Sequence, residues 1–537
     1  MKYILLFYFV FVCFQLSASQ DVDVLIKRQD NADVSTLKGQ IITNKSVYSN
    51  VEHKKFSLDN IPIEENCFVI KNVLLENDFL RENNAALIKE EIIGRCVGAI
   101  GINKIAAELQ DYYIEAGYIT TRIYIPSQDI STGSLRFIVD AGKIENIVIV
   151  NDDINSWILP FNKCDTLNIR HIEQGLENLQ QVPGVDVKID IEPGTKNGYS
   201  NVVIDTHRQK TWGAKATYSN WGDDVTGRYL ASGTIYFFNR AKLGDMFYFS
   251  GTKSTTGKYE NISSYYTFPI GYWNYSLFYR NSDSHQTIPL SLFMVDYIGK
   301  NEHWGAKAER TLYRDKNRKV SVSTEIIRRK SQSKIENEEL LLQKRDMGNV
   351  KLGVSYREQF TDAYLNSTIS WQRFLTLFGG ELTPDMIYGD VSSVSQIWSL
   401  ESIYMQQFSN HVNSVTLFIQ YAPHELTLQD QMTVGNRWSV RGFENSYGLT
   451  GNSGSYIQNS HYYPVGILNA NAYIGADIGL IKDDVVYGDE IIAGSAIGLQ
   501  GNLAILGYDL SVTTPLKYPI DLDVNKININ FSISYQM

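Results

Sequence analysis

The chain is short of ordered histidine, of cysteine, of basic charge and of long hydrophobic runs, and each shortage excludes something. A formal net charge of −10 is the wrong sign for nucleic acid, which selects basic surfaces. The 8 histidines are scattered, and each is expected in a loop rather than as a ligand. There is no His-Glu-x-x-His and no Gly-x-Ser-x-Gly. Gly251 to Lys258 has the look of a phosphate-binding loop, but its spacing is one residue too long. Tyr259 also stands where Ser or Thr must ligate the metal. No catalytic residue, metal or cofactor is expected, and no enzyme activity. One apolar run exists. Tyr3 to Leu16 follows Lys2 and precedes Ser17-Ala18-Ser19, so residues 1–19 read as an export signal cleaved before Gln20. The run falls short of the roughly 18–20 residues that a spanning helix needs.

Cysteine usage agrees with export. Cys13 leaves with the signal, and Cys67, Cys96 and Cys164 allow three pairings. Cys67 with Cys96 is the favoured pair because both lie in one candidate domain. Closing that loop would stabilise by roughly 3–4 kcal/mol on the chain-entropy model. Cys164 is expected to be a buried free thiol, since no histidine motif accompanies it.

What is present is organised in three stretches. At 537 residues the chain is too long for one ordinary domain. Residues 20–66 form a polar arm and linker, in which Val22, Leu25 and Ile26 can share a face of a short plug helix; a disordered arm is the alternative. Residues 67–141 read as a small α+β domain. It has a strand at Phe68–Val73, helices at Ala85–Ile93 and Ile102–Ala116, and strands at Tyr118–Ile125 and Ser134–Val139. Ile102, Ile105, Leu109 and Tyr113 share one helical face, and Gly117 is placed to end the helix. Residues 142–209 repeat the theme. Here Ile144–Val150 is a strand and Ile169–Gln180 a helix, then Pro183-Gly184 turns into Val185–Ile191 and Val202–Asp205 closes the unit.

From 210 to 537 the helical period disappears. Segments of about ten residues alternate apolar and polar between turns, as in Val415, Leu417, Ile419 and Tyr421 against Ser414, Thr416 and Gln420. The cleanest case is the final stretch, where Ile527, Ile529, Phe531, Ile533, Tyr535 and Met537 alternate with polar residues. Alternation fits a soluble sandwich as well as a membrane barrel. The export signal, the 12% aromatic content with 34 tyrosines, and alternation running to Met537 favour the barrel. Alternation also assigns a face to an acid. Leu468, Ala470, Ala472, Ile474, Ala476, Ile478 and Leu480 form an apolar row, so Asn469, Asn471, Tyr473, Gly475, Asp477 and Gly479 face the lumen. A charge turned to lipid at mid-depth would cost roughly 2–4 kcal/mol. Some thirty residues earlier, Val440-Arg441-Gly442-Phe443 sets one cation and one glycine between apolar residues on a loop. An arginine fork suits a carboxylate such as Asp477, with Gly475 and Gly479 leaving it room.

These features carry a resemblance. The stretch Gly117-Tyr118-Ile119-Thr120-Thr121-Arg122 through Pro126 and Gly133-Ser134-Leu135 resembles the first POTRA domain of two-partner secretion transporters of the haemolysin-activator type. Arg170-His171-Ile172-Glu173-Gln174-Gly175-Leu176, the loop motif Val440–Phe443, the Asp477 segment and the phrases from Ala493 to Gly501 and Thr514 to Leu516 continue the likeness over Cys67 to Met537. It implies two periplasmic POTRA domains followed by an all-β outer-membrane barrel of sixteen antiparallel strands. It also implies a loop at about residues 423–455 that folds into the pore, its Arg441 meeting Asp477. The implied partner is a large β-helical exoprotein, such as a haemolysin, adhesin or contact-dependent toxin, recognised through its N-terminal secretion domain. Outer-membrane lipid and the barrel-assembly machinery are the other implied partners. Two alternatives stay open: an outer-membrane assembly or insertion factor of the same superfamily, and a passive porin. One departure stands out. Such barrels commonly end in phenylalanine as a targeting signal, and Met537 keeps the apolar character of that signal without its ring.

Overall fold

A computed structural model describes residues 61–62, 64–80, 91–151, 153–289, 294–336, 338–376, 379–444, 448–466, 469–484 and 486–537. The export signal, the arm helix at Val22, Leu25 and Ile26, Leu468 of the apolar row, and most of the helix expected over Ala85–Ile93 lie outside the described residues.

The first domain is a three-stranded sheet with Ser134–Asp140 in the middle, Asn72–Glu76 parallel on one side and Arg122–Tyr124 antiparallel on the other. Helix α1, Ala99–Glu115, lays Ile102, Ile105, Leu109 and Tyr113 against Leu135, Phe137 and Val139 of the sheet. Its N-cap, Gly98, has no side chain to offer. Glu64 takes that role, accepting from Ile100 N at 3.0 Å and Gly101 N at 2.7 Å. Those backbone donors hold its carboxyl below the usual range. The helix ends in a Schellman turn. Gly117 N bonds Ile114 O, Tyr118 N bonds Tyr113 O, and Gly117 sits at φ +97°, where a Cβ would be strained. This turn consumes Tyr118 to Thr121, so the strand expected from Tyr118 to Ile125 shrinks to Arg122–Tyr124. The strand expected over Phe68–Val73 is likewise two strands. Phe68–Val69 pairs with Cys96–Val97, and Asn72–Glu76 joins the main sheet.

Cys67 and Cys96 are joined by a disulfide over a sequence separation of 29. Cys164 is a free thiol, and here the expectation of burial is corrected: it is exposed. It sits at φ +72° in the turn that brings Asp165 N to Asn162 O, so its side chain leaves the core. A maleimide reagent is therefore expected to label Cys164 on the folded protein and to label Cys67 and Cys96 only after reduction. Labelling of Cys67 without reduction, read by peptide mapping, would contradict this.

The second domain orders its strands Lys143–Ile149, Tyr199–Arg208 and Val185–Pro193, with Tyr199–Arg208 central. Helix α2, Ile169–Leu179, is capped by the Asn168 side chain, which accepts from Arg170 N at 2.8 Å. Asn168 also donates to Ala116 O at 3.2 Å, and Ile169 N bonds Gly117 O at 2.8 Å. The C-terminus of α1 thus meets the N-terminus of α2, the favourable pairing of helix dipoles.

From Trp212 onward sixteen antiparallel strands close into a barrel, with the two-residue strand Glu338–Glu339 as a side piece on Arg318–Ile335. The strands are not uniform segments of ten. They run from 8 residues in Trp212–Ser219 to 21 in Met294–Arg314. Along Trp273–Pro289 the outward row begins Trp273, Leu277, Tyr279, all well exposed, and then turns polar through Asn281, Asp283 and His285. Ser276, Arg280, Ser282 and Ser284 are buried on the lumen side. Pairing that outlasts the apolar band explains the extra length. Histidines follow the same logic. His285, His303 and His461 lie on barrel strands, His207 on a strand of the second domain and His171 on α2, rather than in loops. The barrel closes between Trp212–Ser219 and Asn528–Gln536 through five residue pairs, Ser532 with Ser219 to Gln536 with Lys215. Asn220 extends this seam with its side chain, accepting from Phe531 N at 2.8 Å and donating to Ile529 O at 2.7 Å. In the final strand Asn528, Asn530 and Ser532 are buried while Ile529, Ile533, Tyr535 and Met537 are exposed.

Candidate functional site

The chain between strands Val412–Tyr421 and Ser453–Val465 does not stay outside the barrel. It carries a short antiparallel ribbon, Met432–Val434 with Leu449–Gly451. Met432, Val434, Val440, Phe443 and Leu449 bury against Tyr456, Ile481 and Ile492 of the wall. Val440 and Phe443 are at most 1% exposed, so the two apolar residues of the motif seat the loop and leave Arg441 aimed at the wall. The strand begins at Ser453, which shortens the loop expected to reach residue 455.

Arg441 meets Asp477 through both arms of its fork. Nε donates to Oδ2 at 2.7 Å and Nη2 to Oδ1 at 2.6 Å. The backbone N of Arg441 adds a third bond to Oδ2 at 3.0 Å, and Nη2 also donates to Asn459 O at 3.0 Å. The Asp477 side chain is fully covered and that of Arg441 is 9% exposed. A bidentate, desolvated pair of this kind is strong because its geometry leaves neither charge without partners. Gly475 makes the approach possible, since a Cβ there would run into the Arg441 guanidinium. Gly442 adopts φ +104° with Thr514 backbone 2.5 Å from where a Cβ would stand. Gly479 lies under Val440. The tip is held further along: Asn528 Nδ2 donates to Gly442 O at 2.8 Å, and Glu444 accepts from Thr513 Oγ1 at 2.9 Å.

A second arginine of the loop was not picked out from the sequence. Arg437 donates to Asp509 Oδ2 at 2.6 Å and stacks over the Trp221 ring at 4.0 Å, while Trp438 packs edge-on to the same ring. Trp221 follows the first barrel strand and Asp509 lies on Leu506–Lys517, so this contact spans the closing seam. The signal available was Trp438 beside Arg437, an aromatic-cation pair in a segment otherwise read only for Arg441.

The second domain is locked to the turns at one end of the barrel. The polar face of α2, with Arg170, Glu173, Gln174 and Asn178, is buried rather than solvated. Arg314 reaches Glu177 at 2.6 Å, Glu173 at 3.5 Å and Gln174 at 3.1 Å, and Lys319 reaches Glu177 at 2.5 Å. Asn178 donates to Gly271 O at 2.7 Å and Asn239 Nδ2 to Asp153 O at 2.8 Å. Burial alone would raise the Glu177 carboxyl, but Lys319 and Arg314 outweigh it and hold it down at about 2. Among the described residues no group of three or more His, Cys, Asp or Glu side chains is arranged to hold a metal ion.

Residues 198–501 match the family described as haemolysin secretion/activation protein ShlB/FhaC/HecB. Residues 68–142 match the ShlB-type POTRA domain and residues 143–193 a further POTRA domain. The outer membrane transporter CdiB-2 of Burkholderia pseudomallei (strain 1026b) is 27% identical over 463 residues, 82% of this chain and 79% of the relative. The hemolysin transporter protein ShlB of Serratia marcescens is 24% identical over 438 residues, 78% of this chain and 77% of the relative. CdiB from Escherichia coli has a TM-score of 0.86 at 21% identity, over 95% of this chain and 99% of that one. CdiB from Acinetobacter baumannii has a TM-score of 0.80 at 23% identity, over 96% and 98%. Likenesses at these identities establish the fold.

Proposed function

The chain belongs to the ShlB/FhaC/HecB family of haemolysin secretion/activation proteins, and from that premise we propose that it recognises and translocates a large β-helical exoprotein by two-partner secretion. It is an outer-membrane transporter whose POTRA domains lie in the periplasm. The observation that carries the finer reading is the loop buried in the lumen and fixed by Arg441 to Asp477, because a pore that is closed by a removable segment suits a chain passed only on demand. A haemolysin, an adhesin or a contact-dependent toxin all fit as cargo.

Recognition falls to the two POTRA sheets. Arg122–Tyr124 and Val185–Pro193 are edge strands, with one neighbour each. An edge of this kind adds an extended segment through backbone bonds, with side-chain pockets setting specificity. The exoprotein's N-terminal secretion domain would dock there, thread through the barrel and fold outside, so that surface folding gives direction without a fuel. Outer-membrane lipid surrounds the exposed row of Leu277, Ile474, Ile478 and Ile533 in this reading, and the barrel-assembly machinery inserts the protein. The match to the ShlB/FhaC/HecB family and its POTRA type weighs against an assembly factor, and the presence of POTRA units weighs against a passive porin.

Each POTRA domain has its own apolar core. A fragment from Cys67 to His207 is therefore expected to retain the exoprotein's N-terminal domain in a pull-down. Retention by the barrel portion alone, with none by the fragment, would overturn the division of labour.

A further inference from the structure

Arg441 holds the tip of the loop, and a charge contact of opposite polarity holds its base. Asp430 lies just before the ribbon strand Met432–Val434. Its Oδ1 pairs with Arg329 Nη2 and accepts from Gln372 Nε2 at 3.3 Å, while Oδ2 accepts from Thr427 Oγ1 at 3.1 Å. Arg329 Nη1 adds a bond to Gln429 O at 3.4 Å, and Gln420 Nε2 donates to Asp430 O at 3.0 Å. The two charged side chains are 12% and 7% exposed.

A local turn accounts for the Thr427 bond and for nothing else. The remaining donors come from three separate wall strands, Arg318–Ile335, Ala363–Phe374 and Val412–Tyr421. A buried carboxylate that gathers an arginine and an amide from across the wall is a built acceptor site, as Asp477 is for Arg441. Its place in the barrel matters. Between Arg318–Ile335 and Ala470–Asp484 the closed sheet runs through Arg345–Gln359, Ala363–Phe374, Gln396–Gln407, Val412–Tyr421 and Ser453–Val465. The two contacts therefore sit on well-separated parts of the wall, with the segment from 430 to 441 strung between them.

We propose that Asp430 and Arg329 form a second latch, of reversed polarity, which positions the base of the loop so that the pore clears only when both latches open. This rests on the reading that the loop closes the pore. Release of Arg441 alone frees the tip but leaves the base tethered, and release of Asp430 alone does the converse.

Full-length protein in planar bilayers tests this without the exoprotein. With one latch removed only the other has to break for the pore to clear, so Asp430→Asn and Arg329→Gln are each expected to raise mean conductance severalfold over the parent, and the two together to raise it no further. The charge exchange of Asp430→Arg with Arg329→Asp should return conductance toward the parent, which a merely structural role would not do. Asp430→Asn combined with Arg441→Ala should exceed either alone. If Asp430→Asn does not assemble, Arg329→Lys carries the same test, since it keeps the charge and loses the fork. Parental conductance in Asp430→Asn, with conductance raised in Arg441→Ala, overturns the second latch and leaves the loop reading standing. Parental conductance in both overturns the loop reading itself.

Discussion

Arg441→Ala is expected to cut secretion of the partner exoprotein by at least an order of magnitude while the transporter still reaches the outer membrane in normal amount. The side chain makes the bidentate contact with Asp477 in a place where the carboxylate is fully covered. Removing one member of a buried pair leaves the other charge without compensation, at about 3–5 kcal/mol. About 3 kcal/mol already shifts a two-state loop equilibrium roughly a hundredfold. It does not threaten a barrel held by its whole ladder of backbone bonds. Asp477→Ala should match Arg441→Ala, and the double variant should be little worse than either, because one interaction is lost only once. Gly475→Val reaches the same end by another route, since its side chain would displace the guanidinium from its seat. Secretion at the parental level in Arg441→Ala, with equal transporter in the membrane, would reduce the motif to a buried turn.

Glu177→Ala is expected to loosen the second POTRA domain from the barrel. It leaves Arg314 with Glu173 and Gln174, and it removes the Lys319 contact with α2. The cost again falls at about 3–5 kcal/mol if both cations stay dry. Hydrogen exchange should rise in α2 and in the turn joining Arg314 to Arg318, and that is the measurement that decides it. Unchanged exchange in both places would show that the neutral contacts of Asn178 and Asn239 suffice. A companion variant separates charge from packing. Glu177→Met with Arg314→Met and Lys319→Met removes the charges centred on Glu177, leaves Glu173 with Arg170 at 2.7 Å, and should recover much of the docking, because a buried ion pair is rarely better than a matched apolar contact. The same site gives a pH dependence with a definite sign. The Glu177 carboxyl is held at about 2, below its ordinary 4.5. Its contribution to docking is therefore complete above about 4.5 and is lost as pH falls toward about 2.

Period-two alternation is a local signal, and it located what depends on it. The buried side of Asn528, Asn530 and Ser532 and the lumen side of Asp477 follow from neighbours one and two residues away. Gly117 was legible for a similar reason, since a Schellman turn is written in six consecutive residues, here Tyr113 to Tyr118. The charge cluster at Glu177 was not. Its partners lie about 140 residues away, and a polar helical face such as that of α2 reads by default as solvated. Asp430 and Arg437 were hidden in the same way, because a single charge in a loop has no period and its partner lies on a distant strand. Cys164 failed differently. Its exposure is set by a left-handed turn at a residue that is not glycine, and composition does not announce that conformation.

The unequal height of the wall bears on how cargo would first meet the cell's surroundings. Beyond Tyr279 the outward row of Trp273–Pro289 is polar, and Asp283 pairs there with Lys300 of the next strand at 3.4 Å. Those further residues, at about 3.3 Å each and tilted as barrel strands are, lift the sheet about 20 Å clear of the greasy belt. The strands Leu230–Phe238 and Met246–Ser254, three and two places back along the closed sheet, have only 9 residues each, while Ala470–Asp484 and Gly488–Leu503 across the mouth have 15 and 16. The rim is therefore uneven, low beside Leu230–Phe238 and Met246–Ser254 and high from Trp273–Pro289 onward. A chain leaving it would find its freest exit over that low stretch of the wall. An exoprotein fed out this way would be laid down with a preferred heading from each transporter.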